Sequence, residues 1–182
     1  MRTLIIHPTD PSTDFINVIC DRYRNDPDIT IIDGTNISHR LIKEGLKEND
    51  RIVFMGHGNE YGLLDMVGQR QVITSRDLSM FRDKELICYW CNANIFVERY
   101  DLNAFCTGMF VSEVKEARWY NLPIDQNLID ESNSLFCRIL GDNLFEPVDI
   151  IRQRIMEGYV NPDNPIICFN RECMGFEEYE VI

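Results

Sequence analysis

Hydrophobic and polar positions along this 182-residue chain follow two rhythms. Short, almost unbroken apolar runs occur at 3–7 (TLIIH), 29–32 (ITII), 51–56 (RIVFMG) and 86–90 (LICYW). Runs of that length predict strands covered on both faces, as in a parallel sheet. Between them, apolar residues recur every three or four positions. Residues 12–24 bring Phe15, Ile16, Val18, Ile19 and Tyr23 together, and residues 37–47 bring Ile37, Leu41, Ile42 and Leu46 together. Both stretches predict amphipathic helices. Asp10 and Pro11 read as the N-cap and first position of the earlier helix. Asn25-Asp26-Pro27-Asp28, Asp33-Gly34 and Asn49-Asp50 mark the breaks.

Strand, helix, strand, helix, strand in this order predicts an α/β fold with right-handed crossovers. After His57 the pattern changes. Residues 62–67 and 71–74 flank Gly68-Gln69-Arg70 and predict a small hairpin laid outside the main sheet. A brief helix at 77–81, the strand at 86–90 and a helix at 94–100 follow. A fifth strand is expected at 104–112, interrupted at Gly108. Helices are expected at 125–140, closed by Gly141, and at 148–156, closed by Gly158, with a sixth strand at 165–169. The acidic tail, 171–182, carries no readable period. No repeat, biased segment or linker divides the chain, so 1–182 reads as one domain with a mostly parallel sheet of about six strands and helices on both faces.

Charge narrows the partners. A net charge of −12 repels phosphate backbones and anionic lipid, so nucleic acid and membranes are poor partners and basic peptides or proteins better ones. No apolar run approaches a membrane span, and the first is too short for a signal peptide, so the expectation is a soluble, cytoplasmic protein. Seven cysteines at irregular spacing then read as reduced thiols, mostly packing as small hydrophobes. Cys88 and Cys91 form a Cys-x-x-Cys, but residues three apart on a strand point to opposite faces. Cys168 and Cys173 have no histidine pair beside them. No metal and no cofactor is expected, and nothing in the sequence speaks to oligomeric state.

The candidate chemistry lies where two of the strands end. His57-Gly58 follows the third strand directly, and Cys91-Asn92 follows the fourth. In parallel α/β sheets, sites form beyond the carboxyl ends of the strands. Neighbouring strands lie about 4.8 Å apart, which would bring the two side chains within reach. Cys91 also stands just before a predicted helix, whose positive end is expected to lower the thiol pKa. His57 then reads as general acid and base. The N–H groups of Gly58 and Cys91 are candidates for an oxyanion hole. His7 ends the first strand on the same edge and is expected to be structural. His39, beside Arg40 and Lys43, is expected to be solvated.

These residues resemble the caspase-like cysteine peptidases, the broad group that includes metacaspases, legumain, clostripain, gingipains and separase. The resemblance lies in a strand ending in His-Gly (VFMGHG), a small hairpin, a helix, and a strand ending in cysteine (ICYWCNA). It covers residues 1–145 in order of elements and is close in residues only at 52–64 and 86–93. The histidine precedes the cysteine by 34 residues, against about 50 in caspases proper. Tyr89-Trp90-Cys91-Asn92-Ala93 replaces the caspase Gln-Ala-Cys-Arg-Gly, so the likeness is to the wider group.

What the resemblance implies is a flavodoxin-like strand order and a cysteine endopeptidase with a His57–Cys91 dyad. The group's first specificity pocket maps onto Asp10 and Asp14, onto Tyr89, and onto Glu113 with Glu116. Four of these five are acidic, so a peptide or protein substrate with Lys or Arg before the scissile bond is expected, and Glu113 is the first candidate. Three alternatives stand beside this one. A catalytically silent relative would act as a binding or scaffold module. A hydrolase of this kind could act on a non-peptide acyl bond. A flavodoxin-like binding domain would need a phosphate-cradling loop after the first strand, and residues 7–11 contain no glycine.

Overall fold

The computed structural model describes residues 1–175. Strand β1 (Thr3–Pro8) leads through a 3-10 turn (Asp14–Ile16) into helix α1 (Asn17–Tyr23). Strand β2 (Ile29–Gly34), helix α2 (His39–Glu48) and strand β3 (Arg51–Met55) follow. Short strands β4 (Gly58–Asn59), β5 (Gly62–Asp65) and β6 (Arg70–Gln71) form the small antiparallel sheet expected after His57. A 3-10 turn (Ser75–Met80), strand β7 (Glu85–Tyr89), helix α3 (Ala93–Arg99) and strand β8 (Ala104–Cys106) complete the sheet region. Helices α4 (Val114–Trp119), α5 (Gln126–Asp142), α6 (Val148–Gly158) and α7 (Pro165–Cys173) finish the described chain.

The main sheet is parallel, in the order β2-β1-β3-β7-β8. This is the flavodoxin-like order, whose switch point lies between β1 and β3. Strands β1, β3 and β7 are buried along almost their whole length, which is why their sequences are continuously apolar. Alternate residues feed two cores. Ile5, Val53, Ile87 and Tyr89 meet α1, α5 and α6 on one face, and Leu4, Ile52, Phe54 and Cys88 meet α2 and α3 on the other. Each buried Ile, Leu or Phe contributes about 1.5–3 kcal/mol relative to exposure. No helix among the described residues is long and apolar enough to cross a membrane.

Three expectations need correction. The sheet has five strands, because the expected sixth, 165–169, lies within helix α7. Asn164 caps that helix, its side-chain oxygen accepting the N–H groups of Ile166 and Ile167 at 3.0 and 3.3 Å, and Pro165 occupies the first turn. The fifth strand stops at Cys106, where the chain turns to wrap the carboxyl end of β7. The first helix begins later than expected, because Asp10 caps a tight turn instead. Its carboxylate accepts the Ser12 N–H at 2.8 Å, and its carbonyl accepts that of Thr13 at 3.0 Å. In the tail, 171–173 belong to α7 and 176–182 lie outside the described residues.

Candidate active site

Residues paired between β3 and β7 differ in number by 34, from Arg51↔Glu85 to Met55↔Tyr89, and so do His57 and Cys91. The Gly56 N–H donating to Tyr89 O at 3.1 Å carries the ladder one step beyond the strands. His57 and Cys91 therefore leave adjacent strands at one level. Gly56, at φ 136°, turns the chain out of β3 in a conformation that side chains rarely tolerate. Both residues line one small cavity of about 20 Å³, together with Thr13, Tyr89, Trp90 and Phe110. That volume holds one water molecule and no substrate group.

The loop after β1 closes over His57. Ser12 Oγ lies 2.6 Å from His57 Nε2, and Asp10 Oδ2 lies 3.0 Å from the same nitrogen. Ser12 Oγ also donates to Asp10 Oδ1 at 2.6 Å. An ionised carboxylate only accepts, so we assign the ring proton to Nε2, which leaves the lone pair on Nδ1. Nδ1 has no hydrogen bond among the described residues. Burial pushes the Asp10 carboxyl up. The Ser12 hydroxyl and N–H, with the His57 ring, outweigh it and hold the group below its usual value. Asp10, expected in a substrate pocket, instead holds the histidine.

Cys91 reverses one expectation. Burial raises its thiol pKa to about 11, and the nearby Glu116 carboxylate adds to the rise. Sγ donates weakly to Phe110 O at 3.6 Å. The positive end of α3 does not offset this. The Asn92 N–H donates to Gly108 O, that of Ala93 to Trp90 O and that of Asn94 to Thr107 O, so these amides are turned into the protein. Asn92 sits in the left-handed region, at φ 64°.

Gly58 has a packing requirement of its own. A Cβ there would fall 2.1 Å from the Trp90 ring. The Trp90 indole N–H donates to Asn59 O at 3.0 Å, which clamps the hairpin onto the end of β7. The Leu64 N–H donates to His57 O at 2.8 Å and anchors the next strand of the hairpin to the histidine.

The remaining pocket candidates separate. Tyr89 is a core residue, its ring centroid 4.6 Å from that of Phe136 and 5.1 Å from that of Phe110, and it reaches the site only as one wall of the small cavity. Asp14 is exposed and faces a different hollow, between α1 and α5. Glu116 is buried and spent as a cap, accepting from Ser112 N at 2.9 Å and Glu113 N at 3.2 Å. Only Glu113 opens onto a hollow beside the site. That hollow measures about 360 Å³ and shares Phe15 and Ser112 with the small cavity. Ser12, Lys115, Asp130 and Asn133 also line it, and Lys115 Nζ lies 2.6 Å from Glu113 Oε2. Ser12, Lys115 and Asp130 carried no signal in the sequence, since each matters only through contacts made across the fold.

Two other histidines resolve. His7 is fully buried. Its Nδ1 lies 3.2 Å from Met55 O, its Nε2 has no partner among the described residues, and burial holds its pKa below the usual value. His39 is exposed, as expected, and its Nε2 lies 3.3 Å from Asp77 Oδ1. No cluster of metal-ligating side chains occurs among the described residues.

No protein-family model and no curated protein matches the chain. Among solved structures, an NADPH-quinone reductase from P. pentosaceus is similar at 17% identity, covering 75% of this chain and 98% of that one, with a TM-score of 0.37. A likeness that distant says nothing about activity.

Proposed function

We propose that this protein is a cysteine peptidase of the caspase-like kind, with Cys91 as nucleophile and His57 as general acid and base. One observation carries the reading: the two side chains leave neighbouring strands at the same level, beside the switch point of the sheet, and line one cavity. In this mechanism His57 Nδ1 takes the thiol proton as Sγ attacks the carbonyl carbon. The Gly58 and Cys91 N–H groups receive the developing oxyanion. His57 then gives its proton to the leaving amine, and a thioester remains. A water molecule, deprotonated by His57, cleaves the thioester and restores the thiol. Asp10 and Ser12 fix the ring so that Nδ1 is the working atom. The hollow beside the site takes the side chain before the scissile bond, and a Lys or Arg there meets Asp130 and displaces Lys115 from Glu113. The free state of all seven cysteines fits work in the reducing cytoplasm.

The test is a peptidyl acyloxymethyl ketone with Lys before the warhead, followed by mass-spectrometric mapping. Labelling of Cys91, lost in His57→Ala, is expected. Labelling of other cysteines alone would end the reading. A second reading, a catalytically silent binding module, draws on the thiol pKa of about 11 and the water-sized cavity. It predicts no labelling of Cys91 by any peptide electrophile.

A further inference from the structure

On the other core face, α2, the hairpin and the Ser75–Met80 turn enclose a hollow of about 340 Å³, within the range of small-ligand pockets. Ile37, Ile42 and Val72 contribute apolar lining, and three cationic or ionisable side chains stand around it: His39 from α2, Arg70 from β6 and Arg76 from the turn. Asp77 lines it too, but its side chain is only 6% exposed, so in a chain of net charge −12 the accessible charges of this hollow are the two arginines.

The acids nearby are already committed. Asp77 accepts the Thr74 N–H at 3.0 Å through Oδ2 and faces His39 through Oδ1. Asp65 accepts the N–H groups of Gly68 at 2.7 Å and Asn36 at 3.1 Å, and it meets Arg70 at 3.5 Å. Arg70 also donates to Ile37 O. The Arg76 guanidinium has no hydrogen bond or ion pair among the described residues. Helix α2 starts without a side-chain cap and without an acid in its first turn, so its amino-terminal N–H groups lack the negative charge that usually meets them.

We propose that this hollow binds a small anionic ligand, a phosphate or carboxylate group carried on a compact apolar body. The oxyanion lies between Arg76 and the start of α2, with His39 and Arg70 at its sides, and the apolar body rests on Ile37, Ile42 and Val72. Arginine suits such a group because its planar fork matches two oxygens at once. The inference does not depend on the peptidase reading. The sites are connected all the same, since Gln71 pairs with Leu64, whose N–H holds the His57 carbonyl.

Titration of the isotope-labelled protein with phenyl phosphate, benzoate and inorganic phosphate, followed by amide chemical shifts, tests this. Saturable shifts confined to the start of α2 and residues 70–77 are expected, below about 10 mM for the better aromatic anion. Comparison of the two aromatic anions tells phosphate from carboxylate, and weaker binding of inorganic phosphate reports the apolar floor. Arg76 is exposed, so Arg76→Ala is expected to keep the wild-type spectrum and to weaken binding about tenfold, while Arg118→Ala, an exposed arginine on α4, leaves it unchanged. Shifts spread over the surface, or binding equally weakened by both substitutions, would overturn the proposal. So would the absence of any saturable shift.

Discussion

At the amino end of β3 and β7, Arg51 faces Glu85; beyond the carboxyl end of the same two strands, His57 and Cys91 line one small cavity. The first end is closed. Arg51 is 1% exposed, its guanidinium donates to Glu85 at 2.5 and 3.1 Å, and Nη1 donates to Leu144 O at 2.5 Å. Every charge there has a partner. The second end is open in the chemical sense: His57 is held through Nε2 alone, and burial pushes the Cys91 thiol up to about 11. One pair of strands thus supports an ion pair at one end and, at the other, a histidine and a cysteine that share a cavity without a bond between them among the described residues. The difference teaches that satisfied polar groups hold a fold together, while a group left one bond short keeps a reactive atom available.

Substitutions that act on one end and spare the other test the comparison. Cys91→Ala is expected to remove hydrolysis of peptide substrates by about 10⁴-fold or more, with thermal unfolding within a few degrees of wild type. A variant that unfolds instead would make the thiol structural. Arg51→Met leaves the buried Leu144 O without its donor and the partly exposed Glu85 without its partner, and is expected to cost about 1–3 kcal/mol in urea unfolding, with the His57–Cys91 geometry unchanged in the folded fraction. A loss below 1 kcal/mol would mean that the closed end is dispensable. Asp10→Asn removes the charge that fixes the ring and is expected to lower kcat/KM about tenfold and to shift its acid limb, while stability changes little. An unchanged pH profile would show that Asp10 only shapes the turn. The smallest effect is kinetic. Without substrate, Cys91 alkylation by iodoacetamide should be slow at neutral pH and should rise up to about pH 11, because the raised pKa keeps the thiol protonated through the range where an ordinary thiol, near 9, ionises. A plateau near pH 9 would mean that the site is more open to solvent than its burial indicates.

Both ends were partly legible in the sequence. The strands stood out because β1, β3 and β7 are buried on both faces and so lack polar interruptions. The placement of His57 and Cys91 followed from where those runs stop. The contact of Asp10 and Ser12 with His57 was not legible, because it joins residues 45 and more apart through a turn whose own signal read as a helix cap. The thiol's raised pKa was hidden for a similar reason, since it comes from burial and from Glu116, 25 residues away, while the amides at the start of α3 are taken by the carbonyls of Trp90, Thr107 and Gly108. Helix α7 was misread because Ile166 and Ile167 look like a strand until Asn164 is recognised as a cap.

The Trp90 clamp has a practical consequence for spectroscopy. The chain has two tryptophans: Trp90, 1% exposed and bonded to the hairpin through its indole N–H, and Trp119, 68% exposed. Acrylamide should quench the red-shifted emission of Trp119 and leave the blue-shifted emission of Trp90. With Trp119→Phe as background, the remaining fluorescence would come from a single indole that lines the His57–Cys91 cavity. Any occupant that widens that cavity would announce itself as a change in colour, with no label attached to the protein.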